Sequence, residues 1–248
     1  MANPAFDDRV AAYAASPSHR SGPSLDLAVE LAAVRPGRSV LDVSTGTGFT
    51  AQALENMGCH VVVADVAPSM LRHTLATASK RLRGVLTDTQ QLAFADGVFD
   101  AVTCRHAFHH YVDGMAAMRE MARVVCPGGR VVVADTIAPD DVEASVVMHT
   151  IETRRDSSHV RNRDRTSLIG VFEAVGLRVE RVESTTTVQV FESWCSRTDV
   201  DDVTREQLWE LFTSKTSVRE AFGAEERDEK RMFTWPVAVV AGTRRSSL

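Results

Sequence analysis

Short runs of β-branched residues alternate with helical patterns through most of the chain, and this alternation limits the possible folds more than any other feature. It is typical of βαβ units, in which each helix returns the chain to the next strand of a parallel sheet. We therefore predict an α/β fold. The predicted strands are residues 39–43, 60–65, 83–87, 99–104, 130–135, 177–183 and 232–241, the last of them antiparallel if it folds back beside the others.

Helical segments are predicted between and after these strands. Residues 24–34 carry apolar side chains on one face behind Ser24 as N-cap, and residues 166–175 begin with Thr166 in the same role. The methionines of residues 113–125 follow helical spacing, which favours a place in the core. A polar, charge-rich stretch precedes residue 165, and residues 191–231 look helical.

Charge and cysteine content narrow the classes of partner. A net charge of −5 gives no basic surface for nucleic acid or for an anionic membrane, so a small-molecule ligand is expected. The four cysteines form no C-x-x-C pair and no cluster at zinc spacing, so no metal is expected. The first residues lack a signal-peptide pattern and the apolar runs are too short to span a membrane, which predicts a cytoplasmic protein.

The strongest local motif is VLDVSTGTGFTA at residues 40–51, a strand that runs through a glycine loop into a helix. Gly46 and Gly48 would let the backbone approach a ligand, and the helix N-terminus offers free N–H groups. The loop also fits the dinucleotide fingerprint, with Asp65 at about the 20-residue distance of a ribose ligand. In that fingerprint, however, the glycines follow the strand at once, whereas here Asp42 precedes the first glycine by four positions.

Two further acids follow strand ends. Asp65 is followed by VAPSML, in which Pro68 begins a helix, and Asp88 lies in TDTQQLAFADGVFDAV. Taken in order with LDVSTGTG, the HH pair and CPGGRVVVAD, these motifs resemble class I methyltransferases of the ubiquinone/menaquinone-methyltransferase-like branch over about residues 20–183. The resemblance implies a Rossmann-like, seven-stranded, mostly parallel sheet with an antiparallel last strand and helices on both faces. It also implies S-adenosylmethionine as the cofactor of an enzyme that methylates a small organic molecule at oxygen or carbon.

The resemblance also assigns the cofactor contacts. Asp65 would bind the ribose hydroxyls, and Arg105 would lie near the amino-acid end of the cofactor. The remaining contacts that it implies are Ser44, Thr45 and Gly46 at the methionine part, Val66 and Met70 at the adenine faces, and Asp88 and Thr89 at the adenine edge. For Asp42, hydrogen bonds to loop amides are an alternative to cofactor contact.

Ser44 departs from the family pattern D-x-G-x-G-x-G, because it stands at the first glycine. A serine is less stable than glycine at an unusual backbone angle, so a reshaped turn or weaker cofactor binding is expected. Because of this departure, a second hypothesis remains: a methyltransferase-like protein that uses the bound cofactor for a non-methylating reaction such as cyclisation. A nicotinamide-dependent oxidoreductase is the third hypothesis.

Histidines and arginines supply the candidates for the acceptor side. The segment CRHAFHHY supplies three candidate general bases, His106, His109 and His110, of which the last two are favoured, with a purely structural role as the alternative. The arginines of residues 149–165 would suit an anionic acceptor, whereas a solvated helix face is the alternative for this charged segment. The resemblance implies Arg154, His159 and Arg161 as the candidate substrate contacts, because the family has a similar R-D-x-S-H-V-R run.

The chain is expected to form one domain of 248 residues. Within it, residues 1–22 are expected to form an N-terminal lid in which Tyr13 and His19 face the cofactor. Residues 188–231 would be a helical insertion before the last strand.

Overall fold

The computed structural model describes residues 6–78 and 82–246, so the first five residues of the expected lid lie outside the described residues. Its sheet has the strand order β3-β2-β1-β4-β5-β8-β6, and a short strand β7 pairs with β8. The first five strands are parallel, and β8 is antiparallel to both of its long neighbours. The strands are β1 Ser39–Val43, β2 His60–Asp65, β3 Arg83–Leu86, β4 Phe99–Arg105, β5 Val125–Thr136, β6 Leu177–Val190, β7 Glu225–Arg227 and β8 Lys230–Arg244. The predicted α/β class and the antiparallel last strand are confirmed.

Helices cover both faces of this sheet. Three precede β1, α4 and α5 connect the first strands, α6 leads into β5, and five more follow β5. They are α1 Val10–Ala15, α2 Pro17–Arg20, α3 Pro23–Ala32, α4 Phe49–Asn56, α5 Pro68–Thr77, α6 Gly114–Val124, α7 Val142–Arg155, α8 Arg165–Ala174, α9 Phe191–Ser196, α10 Asp202–Thr213 and α11 Thr216–Phe222. No helix in the described part of the chain is long and apolar enough to cross a membrane.

Two predicted helix starts are wrong. Ser24 lies inside α3, whose N-cap is Gly22, and its hydroxyl is 3.1 Å from His106 Nε2. At α8 the cap is Asp164, whose carboxylate accepts the Ser167 N–H at 2.8 Å. In both cases the helix begins earlier than the prediction, and at α8 a charged acceptor serves the free N–H groups.

The last two long strands extend beyond the predicted ends at residues 183 and 241. Residues 233–236 of β8 have only β6 as strand partner, so the two strands continue as a ribbon past the end of β5. The β-branched sequence STTTVQV at residues 184–190 suits such a strand although it is polar. This ribbon brings Gln189 and Trp235 over the carboxyl end of the sheet.

The core has three parts. Two apolar clusters fill the two faces of the sheet, and a third, rich in aromatic residues, joins α7 to the helices before β8. The buried aromatic side chains of the third cluster are Phe191, Trp194, Phe212, Phe222, Phe233 and Trp235. This cluster holds the helices between β6 and β8 against α7, and it forms one wall of the site described next.

Candidate active site

A cavity of about 390 Å³, called the main cavity below, lies at the carboxyl ends of β1, β2 and β4. Parallel strands bring their carboxyl ends to the same edge of a sheet, where α/β proteins bind ligands. The volume lies within the range of about 300–1,000 Å³ for small-molecule sites. Among the predicted residues, its lining includes Ser44, Thr45, Gly46, Asp65, Val66, Met70, Asp88, Thr89, Arg105 and His110.

The two loop glycines serve different purposes. Gly46 has φ +55°, and a Cβ there would meet nothing within 4 Å, so its backbone faces open space in the main cavity. Gly48 has φ +84° and is the N-cap of α4, where a Cβ would lie 2.5 Å from Thr74 Cγ2. Gly48 does not line the cavity, so we interpret it as a packing position behind the loop.

Ser44 has a left-handed backbone conformation, with φ +49°. Its hydroxyl is hydrogen-bonded to Tyr111 Oη at 2.8 Å and lies 3.3 Å from Thr89 Oγ1. The left-handed turn therefore accommodates a serine at this position. A side-chain hydrogen bond offsets part of the backbone cost of about 1–2 kcal/mol.

Asp42 is buried directly beneath the loop. Its carboxylate accepts from the hydroxyls of Thr45 and Thr103, each at 2.7 Å, rather than from loop amides. Burial raises its pKa to about 6, although these hydroxyls and Arg105 act in the opposite direction.

Asp65 accepts one backbone N–H on each carboxylate oxygen, from Gly46 at 2.8 Å and from Ala67 at 2.9 Å. Burial raises its pKa, and these N–H groups oppose the shift. Each oxygen retains a lone pair that could accept from a ligand hydroxyl. The carboxylate is thus held rigidly at the wall of the main cavity.

Asp88 and Arg105 both line the main cavity. Asp88 accepts the Gln90 N–H at 2.8 Å, so it shapes a turn and lines the cavity at once. Arg105 donates to Thr50 Oγ1 at 3.0 Å and to the His19 carbonyl oxygen, both neutral acceptors. Burial lowers the pKa of Arg105 to about 10, and the charge of Asp42 opposes this shift.

The N-terminal segment packs over the cavities. Asp7 accepts from the Ser69 N–H at the start of α5 at 3.0 Å, and Arg9 pairs with Asp156 at 3.0 Å. Tyr13 and His19 lie between Arg9 and α3 in the chain, and both line the main cavity. Their contact with the cofactor stays a prediction. Burial lowers the pKa of His19 well below its usual range.

A second space of about 50 Å³, the side chamber, adjoins the main cavity. The two spaces share Tyr13, His19, His106 and His110 in their walls. The other residues of the side chamber are Ser18, His109, Thr136, Glu152, Arg155, Gln189, Trp194, Arg197 and Trp235. Its walls therefore combine aromatic rings with buried charges.

Of the candidate histidine bases, His109 has the strongest structural support. Its Nδ1 lies 2.7 Å from Asp135 Oδ1, and its backbone N–H donates to Asp135 Oδ2 at 2.7 Å. Burial opposes protonation of the ring, but the charge and hydrogen bond of Asp135 outweigh burial and raise the pKa of His109. Nε2 has no hydrogen-bond partner among the described residues.

The neighbouring histidines differ from His109. Burial lowers the pKa of both His106 and His110 to about 3, so both rings are neutral at physiological pH. The Nδ1 of His110 is 3.1 Å from the Ser158 carbonyl oxygen, and its ring centroid is 4.0 Å from that of His109.

The predicted substrate contacts in residues 149–165 lie outside both cavities. The side chains of Arg154 and Arg161 are exposed, and His159 is buried behind His109 with ring centroids 5.7 Å apart. The sequence reasoning missed Arg155, which is buried in the side chamber. A signal for it existed, because Ala144, Met148 and Ile151 define the inner face of α7 and Arg155 continues that stripe.

No group of three or more metal-ligating side chains lies together within residues 6–78 and 82–246. All four cysteines are unpaired. Burial raises the pKa of Cys104 above its usual range.

Comparison with known proteins agrees with this geometry. The sequence pattern of the family described as "Methyltransferase domain" matches residues 41–133. YafE of Escherichia coli, an uncharacterized protein, is 33% identical over 141 residues, which cover 55% of this chain and 68% of YafE. The chain belongs to the methyltransferase domain family. It is an S-adenosylmethionine-dependent enzyme of class I.

Two further relatives define how far the similarity reaches. The uncharacterized methyltransferase YcgJ of Bacillus subtilis is 29% identical over 71% of each chain. Its crystal structure superposes with a TM-score of 0.83 over 90% of this chain and 99% of that chain, at 25% identity. Demethylmenaquinone methyltransferase of Mycolicibacterium paratuberculosis is 43% identical over 108 residues, which cover 44% of this chain and 46% of that enzyme. The similarity to the quinone enzyme is thus confined to less than half of either chain.

The main cavity of this methyltransferase fits its cofactor. The open backbone at Gly46 leaves room for a ligand, and Asp65 has free lone pairs for hydroxyls. Among the described residues, the hydrogen-bond partners of buried Arg105 are neutral, so its guanidinium can pair with a carboxylate. These are the groups that a ribose and an amino-acid end require.

Proposed function

We propose that this methyltransferase acts on a hydroxyl group or an acidic carbon of a small organic molecule, with His109 as the general base. The observation that carries the proposal is the His109–Asp135 pair at 2.7 Å, in which His109 lines the side chamber. When bound, S-adenosylmethionine supplies a methyl group that is already activated by its sulfonium. The protein therefore has to orient the acceptor and remove its proton.

Cofactor binding is proposed to follow the predicted contacts that line the main cavity. Asp65 would accept from the ribose hydroxyls, and Arg105 would pair with the carboxylate of the cofactor. Val66 and Met70 would contact the adenine faces, and Asp88 its edge. Gly48 would act indirectly, by letting α4 begin close to Thr74.

Asp135 positions the base. Because it accepts both the backbone N–H and the ring Nδ1–H of His109, it fixes the ring orientation and the tautomer with a bare Nε2. A neutral His109 can then take a proton from the acceptor at Nε2, and Asp135 stabilises the imidazolium that results. His110, with a pKa of about 3, is a much weaker base and is proposed to shape the wall between the two spaces.

The acceptor is proposed to be small because the side chamber holds only about 50 Å³ and has the bulky side chains of Trp194 and Trp235 in its walls. An acceptor here would extend from the chamber past His109 toward the main cavity. The cytoplasmic location stays a prediction.

The test is methyl transfer itself. The purified chain is incubated with S-adenosylmethionine labelled in its methyl group and a panel of small hydroxylated compounds. We expect label in one acceptor class, with one S-adenosylhomocysteine formed for each product. Product without S-adenosylhomocysteine would show that the cofactor is not the methyl donor and would overturn the proposal.

A further inference from the structure

Arg197, which follows α9, has an unusual environment for a buried cation. It is 5% exposed, and its two terminal nitrogens donate to Ser16 Oγ at 2.8 Å and to Gln189 Oε1 at 2.9 Å. Both acceptors are neutral. Arg197 nevertheless lines the side chamber, where a ligand could reach it.

The other charged groups around the side chamber are paired. Each remaining cation has a carboxylate within ion-pair distance, and each carboxylate has its cation. The pairs are Arg155 with Glu152 at 2.9 Å, Arg9 with Asp156 at 3.0 Å and His109 with Asp135 at 2.7 Å. Among the described residues, Arg197 is therefore the chamber's cation without a carboxylate.

A buried charge without an opposite charge nearby is energetically unfavourable. Burial lowers the pKa of Arg197 to about 10, and the nearby charge of Arg155 adds to this shift. A guanidinium has five N–H donors, so the two hydrogen bonds to Ser16 and Gln189 leave donors for a ligand.

We propose that the side chamber binds a carboxylate of the methyl acceptor, with Arg197 as its ion-pair partner. The acceptor class is thus small carboxylic acids. This inference rests on the proposed function, since it assigns the substrate of the same site.

Charge and size favour a carboxylate over a phosphate. One unpaired guanidinium balances one negative charge, whereas a phosphate monoester carries about −1.5 to −2 at neutral pH and would leave excess negative charge buried. The chamber of about 50 Å³ holds a group the size of a few water molecules. A planar carboxylate also matches the fork of a guanidinium.

Acetate is the probe, because it is small enough for the chamber and carries little besides the carboxylate. Binding of acetate and of neutral, similarly shaped acetamide is measured by tryptophan fluorescence and calorimetry at constant ionic strength, with S-adenosylhomocysteine bound. We expect acetate to bind at least about tenfold more tightly than acetamide, the effect of one charged hydrogen bond. Equal binding of the two, or no binding of acetate, would overturn the inference.

Variants locate the effect. Arg197→Gln should abolish the preference for acetate, Arg197→Lys should keep part of it, and Arg119→Gln, which removes an exposed charge from α6, should leave it unchanged. A preference that survives in folded Arg197→Gln contradicts the assignment. If Arg197→Gln does not fold, the wild-type comparison and Arg197→Lys still decide.

Calorimetry with S-adenosylhomocysteine separates the two proposals. Intact cofactor binding and methyl transfer to neutral acceptors, without acetate binding, would refute only the carboxylate. Absence of any S-adenosylhomocysteine binding would instead refute the proposed function.

Discussion

The main cavity and the side chamber are built in different ways. The main cavity takes most of its polar groups from strand ends and the loops that directly follow them, between residues 42 and 111, and backbone N–H groups hold Asp65 in place. The side chamber combines the histidines that follow β4 with side chains of the N-terminal segment, α7, β5, β6, β8 and the end of α9. The proposed cofactor site therefore depends on local chain geometry, whereas the proposed acceptor site depends on packing between distant elements.

The family match reflects this difference. It covers residues 41–133, which include the carboxyl ends of β1, β2 and β4, and ends before Glu152, Arg155, Gln189, Trp194, Arg197 and Trp235. Membership in the family thus identifies the methyl donor but not the acceptor. The proposed acceptor site lies mostly outside the matched residues. Substitutions should divide the same way, with effects on cofactor affinity in one region and on turnover or acceptor choice in the other.

The largest expected effect is on turnover. His109→Gln keeps a hydrogen-bonding side chain but removes the titrating nitrogen, so kcat should fall by roughly 10²–10⁴ while S-adenosylhomocysteine affinity persists. His110→Gln is the matched control and should lose much less, because His110 is already a weak base. Steady-state kinetics and calorimetry check both; equal losses in the two variants would contradict the assignment of the base.

Asp135→Asn should change the pH profile as well as the rate. The Asp135 charge raises the pKa of His109, so the wild-type kcat should rise with pH through a pKa above that of ordinary histidine, as the neutral base forms. Removing the charge lowers that pKa, so the variant should reach its lower plateau at a lower pH. A pH–rate profile whose midpoint stays in place would show that another group titrates.

Asp65→Ala should act on the main cavity alone. Loss of a charged acceptor for ribose hydroxyls costs about 1.5–3 kcal/mol, a roughly 10- to 150-fold weaker affinity for S-adenosylhomocysteine. Acetate binding in the side chamber should be unchanged, and Asp65→Asn should be intermediate. Calorimetry of folded variants measures this, and an unchanged dissociation constant would remove Asp65 from the site.

Ser44→Gly should have the smallest effect. Glycine relieves the left-handed backbone at φ +49° but loses the hydrogen bond to Tyr111, and the two contributions oppose each other. The net change in unfolding free energy should stay within about 1 kcal/mol. Thermal melts with and without S-adenosylhomocysteine test this; a large gain in cofactor affinity would mean that serine weakens binding at this position.

The sequence alone determined the parts of this protein whose signals are local. The alternation of strands and helices predicted the sheet, and the acids and glycines after β1 and β2 predicted the main cavity, because strand ends and glycine turns place their side chains through the backbone itself. His109 and His110 were found together as candidates for the same reason. Their sequence positions could not rank them.

Tertiary packing decided the rest. Asp135 lies 26 residues from His109, and only the pairing of β4 with β5 brings the two together. On α7, the rotation of about 100° between neighbouring residues turns Arg154 outward and Arg155 inward, and the packing of α7 against the aromatic cluster sets that rotation. Arg197 owes its burial to the N-terminal segment and to the ribbon of β6 and β8. The proposed role of Arg197 depends on this packing, because the distant elements bury the guanidinium without bringing a carboxylate of the described residues within ion-pair distance.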